Sequence, residues 1–211
     1  RQAVADLCSE TKIDASLSGE FFNSQALLPG LEIAKASNTV AQIRILRLML
    51  NYLFGNYDAA LAEAAEAKRH LSGVTGTAAI PAYHFYSALS ALAAVQSAHG
   101  PDAQDAVSEI AESRALLRQW AERAPMNFRH KHLLVEAEIA VLKGHLESAT
   151  ALYEESMELA RDNSYIMEEA LACERAGYCF LARGRTRQAR HFLRDANDTW
   201  SQCGATAKVR N

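Results

Sequence analysis

The chain has 211 residues, of which 49% are apolar and 22% charged, enough for one well-buried domain or two small ones and too apolar for disorder. Ten Gly and four Pro are too few for the turns of an all-β chain, so helices are favoured. A net charge of −3 argues against nucleic acid or an acidic substrate as a partner, and no apolar run approaches the roughly 20 residues that span a bilayer.

The chain opens at Arg1 with no apolar signal segment, so it reads as a piece of something longer that carries no targeting information. Residues 3–15 are expected to form a first helix and Phe21 to Ala36 a second, together an incomplete leading repeat. Next comes an apolar stripe of Ile45, Leu48, Met49 and Tyr52, then Gly55, then Ala60 opening another helix. Ser72 to Gly76, with Pro81 beyond, is expected to be a loop, and so is Ala124 to Asn127 after the helix that holds Trp120. Leu134, Ala137, Ile139 and Val141 lead to Gly144, and Ala149, Leu152, Tyr153, Ser156 and Leu159 follow it. After Gly184 the stripe is Ala189, Phe192, Leu193, Ala196 and Trp200.

Four glycines thus divide helical patterns at 55, 100, 144 and 184, with spacings of 45, 44 and 40 residues. Glycine enters the left-handed conformation without a Cβ clash, so it marks a tight turn between two helices. A small Ala five residues later lets the second helix approach the first. Neither helix of a pair could bury its apolar face alone, whereas stacked pairs bury them in one core. The expected fold is all-α: a right-handed α-solenoid of tetratricopeptide-like repeats, about four complete and one partial, with about ten helices in one domain over residues 1–211.

Three runs carry a further resemblance: Tyr52-Leu53-Phe54-Gly55-Asn56-Tyr57, His84-Phe85-Tyr86-Ser87-Ala88-Leu89, and Asn127 to Lys131 continuing through Leu134 to Glu138. Together with the closing run Trp200 to Val209, they resemble the helical-repeat region of large bacterial multi-domain signalling kinases. In that family a Ser/Thr-kinase-like domain and an AAA-type ATPase module precede the repeats, and a GAF-type sensor and a histidine kinase follow them. The resemblance covers roughly residues 45 to 211 and implies a role in signal transduction for the parent chain.

No catalysis is expected from these residues themselves. Gly73-Val74-Thr75-Gly76-Thr77 lacks the Lys of a phosphate loop, and no kinase signature is present. No cofactor is expected either. His130 and His132 point apart on a helix, which disfavours a metal site, and His132 with Glu136 reads as a local pair. His84 reads as a structural partner in the core, and Tyr83, Phe85 and Tyr86 as core packing rather than a base-stacking platform. The four cysteines, Cys8, Cys173, Cys179 and Cys203, form no CxxC and are expected to be reduced thiols in the cytosol, with Cys173 and Cys179 buried.

Charge is unevenly placed. Residues 175–211 carry a net +6 and the remainder −9. Arg187, Arg190 and Arg194 fall at i, i+3 and i+7, opposite Phe192 and Leu193, as a basic docking face for an acidic neighbour. That neighbour would be a protein, another domain of the same chain, or a second copy of it. Counting back from the glycines, the first helices would offer Gln42, Met49, Tyr52, Lys131, Glu138, Glu174 and Tyr178 to a concave groove. Two functions follow: a non-catalytic interaction scaffold, or a small-molecule or nucleotide sensor with a pocket between repeats.

Overall fold

A helix stops where one residue turns left-handed and its neighbours cap the last carbonyls. In the computed structural model, which describes residues 1–9, 15–97 and 103–209, Gly55, Gly144 and Gly184 have φ of 77°, 75° and 70°. At each turn two backbone bonds close a Schellman cap. At Gly144 these run from its own N–H to Val141 O and from His145 N–H to Ala140 O. The hinge expected at Gly100 lies outside the described residues.

The same pair of bonds recurs at Lys35, Ser164 and Gly204, with φ of 52°, 64° and 76°. Left-handed caps therefore fall at 144, 164, 184 and 204, one at the end of each of four consecutive helices and twenty residues apart. The hinges expected from the sequence include 144 and 184 but neither 164, where serine stands in place of glycine, nor Gly204, a glycine that falls outside the expected helix pairs.

Among the described residues there are twelve α-helices, one 3-10 turn and no strand beyond an isolated bridge between Ser18 and Asn23. They are α1 (Gln2–Leu7), α2 (Ser24–Ile33), α3 (Ser37–Leu53), α4 (Tyr57–Lys68), the 3-10 turn Leu71–Val74, and α5 (Ala79–Ser97). Then come α6 (Ala103–Glu109), α7 (Ala111–Arg123), α8 (Pro125–Leu142), α9 (Leu146–Asp162), α10 (Ile166–Leu181), α11 (Thr186–Gln202) and α12 (Thr206–Val209).

The count exceeds ten because α6 and α7 break at Ile110 and a short α12 closes the chain. The first helix stops at Leu7, well short of residue 15, and residues 10–14 lie outside the described set. The second starts three residues later than expected, since the Asn23 side chain caps it by accepting from the Ala26 N–H. The loop expected at Ala124 to Asn127 shrinks to Ala124 alone. Pro125 opens α8 at its first turn, where the missing N–H costs nothing.

The described residues fall into two compact units. Unit 1 comprises Arg1–Gly100 with Thr206–Asn211, and unit 2 comprises Pro101–Ala205. In unit 1, α3 packs against α4, α5 and the 3-10 turn, and α1 against α12. Val40, Leu48, Leu50, Phe85 and Leu92 fill its core. Tyr83 and Tyr86 are also buried, and Tyr83 meets His84 edge-on at 5.0 Å, as core packing requires.

In unit 2, each helix from α7 to α11 packs on the next. The Ala expected five residues after each hinge is buried: Ala60, Ala149 and Ala189 are 0%, 0% and 1% exposed. One close helix approach involves a residue outside the expected stripes. A Cβ on Gly177 of α10 would stand 2.6 Å from Leu193 Cγ of α11.

Candidate functional site

Unit 2 presents a polar seam inside and two charged faces outside. The seam begins with α8 and α10, which are parallel: three side-chain links join them at nearly one offset. Arg175 donates to Glu138 through Nε at 2.9 Å and Nη2 at 2.8 Å, across 37 residues. Lys131 Nζ meets Glu168 Oε1 at 2.6 Å. Tyr165 Oη donates to Asn127 Oδ1 at 2.9 Å.

From α9, Tyr153 Oη donates to Glu138 Oε1 at 2.6 Å and Ser156 Oγ to His130 O at 2.8 Å. Glu138 thus gathers three charge-assisted bonds while only 1% exposed. Burial holds the Tyr153 hydroxyl well above its usual range, so it stays a donor.

Lys131 is covered from three sides. Its ammonium lies 2.8 Å from His130 Nε2 and 4.3 Å from the Tyr165 ring centroid. Burial lowers the Lys131 pKa, and Glu168 opposes that shift. Burial, then the Lys131 charge, push His130 down to about 3. A neutral His130 accepts from Lys131 at Nε2, which leaves its proton on Nδ1, a buried atom with no partner.

The residues expected to line a groove therefore separate. Gln42 is exposed and donates to Asn38. Tyr178 is 42% exposed, while Met49 and Glu174 are half-buried, Glu174 accepting from Trp200 Nε1 at 2.8 Å. Tyr52, Lys131 and Glu138 are buried, so their side chains brace the helices instead of lining a surface. The structure brings Lys131 and Glu138 into one seam, and Gln42, Met49 and Tyr52 belong to unit 1.

Arg187, Arg190 and Arg194 are all exposed, and none of them enters an ion pair among the described residues. Ala189, Ala196 and Trp200 occupy the opposite, buried stripe of α11. Arg190 and Arg194 also border an open groove with Leu181, Leu193 and Asn197.

A second charged face went unread in the sequence. On α9, Glu147, Glu154 and Glu158 are exposed at i, i+7 and i+11, one stripe opposite buried Ala149, Tyr153 and Ala160. Its signal lay in the spacing of those three glutamates.

Elsewhere several charges pair off. Arg114 forms a fork on Glu136 at 2.5 and 2.7 Å, beside His132, whose Nδ1 lies 3.9 Å from the same carboxylate. Arg114, Glu136 and His132 line a second open groove between α6, α7 and α8, and Arg118 and Glu122, which line it too, bind each other. Burial raises the Cys173 thiol to about 12 and also raises Cys179, as for small buried hydrophobes. Among the described residues no group of three or more His, Cys, Asp or Glu is placed to hold a metal, and no helix is long and apolar enough to cross a membrane.

Comparison with protein families, curated proteins and solved structures gives no match for this chain.

Proposed function

We propose that this chain is a non-catalytic interaction scaffold, built as a right-handed α-solenoid and belonging to the helical-repeat region of a bacterial multi-domain signalling kinase. The observation that carries the reading is the arginine stripe of α11. Three guanidiniums stand exposed and, among the described residues, outside any ion pair, opposite the packed face of a repeated helical hairpin. Unpaired guanidiniums offer planar forks to carboxylates, and repeat folds use such outward faces to hold partners. The polar seam beneath supports the same reading, since its charges are spent on one another and stiffen the platform.

On this reading the partner is a protein surface rich in acid, either a neighbouring domain of the parent chain or a separate protein. The kinase context rests on the sequence resemblance. Reading the open frame around this chain tests that context, with an ATPase module expected upstream and a histidine kinase downstream; a frame holding neither overturns it. The triple variant R187E/R190E/R194E tests the face. It is expected to keep its helicity and melting temperature while losing salt-sensitive binding to those flanking modules. Unchanged binding by a folded triple variant would overturn the docking of those modules on this face.

A further inference from the structure

The acidic stripe of α9 and the basic stripe of α11 occupy equivalent positions in consecutive helical pairs. Glu147 and Arg187 each stand three residues after a hinge glycine, at 144 and 184. Glu154 and Arg194 each stand ten residues after it, so the charge inverts at two matched positions forty residues apart. All four side chains are exposed and form no ion pair among the described residues.

The direction of the helices gives this inversion a consequence. Tyr153 reaches Glu138, and Ser156 reaches the His130 carbonyl, so α9 runs antiparallel to α8. Phe192 stacks on Phe180 and Trp200 reaches Glu174, so α11 runs antiparallel to α10. With α8 and α10 parallel, α9 and α11 are parallel too. Unit 2 thus carries an acidic and a basic helix side by side, pointing the same way. Between their N-terminal ends lies a trough of about 790 Å³ lined by Glu147 and Glu154 of the acidic stripe with Phe180, Arg185 and Gln188, while Arg194 borders the neighbouring groove on the far side of Ala189 and Leu193.

Resting on the scaffold reading, we propose that the partner of this face is a second copy of the chain, joined through unit 2 about a two-fold axis parallel to α9 and α11. Such an axis over the trough lays α9 of each copy on α11 of the other. Glu147 then meets Arg187 and Glu154 meets Arg194, twice over, because a two-fold interface presents one patch to itself. A two-fold axis lying in the same face but perpendicular to the helices would set α9 on α9, acid against acid, and is disfavoured. The matched stretch ends at Glu158 and Asp198, which are acidic at equivalent positions. Exposed pairs are individually weak, so the dimer is transient and salt-sensitive.

Sedimentation velocity on the 211-residue chain tests this with two charge reversals, E147R/E154R and R187E/R194E. Wild type is expected to show a reversible monomer–dimer equilibrium at low salt that weakens at least about tenfold at high salt. Each reversal alone makes both stripes one sign and is expected to be monomeric, whereas an equimolar mixture of the two is expected to form a heterodimer. A monomeric wild type, a reversal that still self-associates, or a mixture that stays monomeric overturns the proposal. Thermal melts by circular dichroism check folding. Where a reversal fails to fold, the neutral pairs E147Q/E154Q and R187Q/R194Q replace it, each expected to weaken the dimer, and undiminished association overturns the proposal as well. None of these results bears on the flanking modules, so self-association and the kinase context fail separately.

Discussion

Arg175 grips Glu138 with two parallel hydrogen bonds, Nε to Oε1 and Nη2 to Oε2, tying α10 to α8 in the interior of unit 2. Their side chains are 8% and 1% exposed. Removing one member leaves the other charge buried, which costs about 3–5 kcal/mol, whereas replacing both with apolar groups forfeits far less. Arg175→Met alone is therefore expected to destabilise more than Glu138→Leu/Arg175→Met together. The double variant still leaves the Tyr153 hydroxyl without its acceptor, and adding Tyr153→Phe should recover part of the remainder. Urea unfolding of the series measures this, and simply additive losses would show the pair uncoupled.

Gly177→Ala should destabilise although alanine favours helix by about 1 kcal/mol. The new methyl would enter the space of Leu193 Cγ at 2.6 Å and its Cδ2 at 2.7 Å, with the α11 backbone just behind. Overpacking of this kind typically costs about 1–3 kcal/mol. Adding Leu193→Ala should relieve the clash, so the double variant should lose less than the two single losses combined. A rise in melting temperature for Gly177→Ala alone would mean α10 and α11 are further apart than described.

Ser164 holds a left-handed φ of 64° in a cap that glycine fills at 144, 184 and 204. A side chain there costs about 1 kcal/mol, so Ser164→Gly should stabilise by up to that amount. The reverse change, Gly144→Val, places a β-branched residue at φ 75° and should destabilise by about 1 kcal/mol or more. Thermal melts of both variants check the pair of signs.

His130 makes stability depend on pH. Its folded pKa is about 3, and an unfolded histidine titrates near about 6.5. Below that value the unfolded chain takes up a proton that the native state refuses. Stability is thus full above about pH 6.5 and falls toward pH 3, by up to about 1.4 kcal/mol per unit. His132, also lowered chiefly by burial, adds a slope of the same sign. His130→Gln keeps an acceptor for Lys131 and should flatten the decline between about pH 6.5 and 5, before most carboxylates titrate. An unchanged slope in urea unfolding at those pH values would place the titration elsewhere.

What the sequence by itself determined were local matters. Glycines 55, 144 and 184 stop helices because a missing Cβ permits positive φ, and Ala60, Ala149 and Ala189 are buried because apolar stripes repeat at helical spacing. The exposed side of α11 was legible for the same reason: a stripe opposite a packed stripe faces outward wherever the helix is placed. The cap at Ser164 was not, since serine carries no signature of left-handed backbone. Only tertiary structure decided that Lys131 and Glu138 are buried. Periodicity within α8 says nothing about α10, and it is the 37-residue offset between these two parallel helices that brings Arg175 to Glu138 and Glu168 to Lys131. A lone charge on a helix looks solvent-facing until a partner on another helix offsets the cost of burying it.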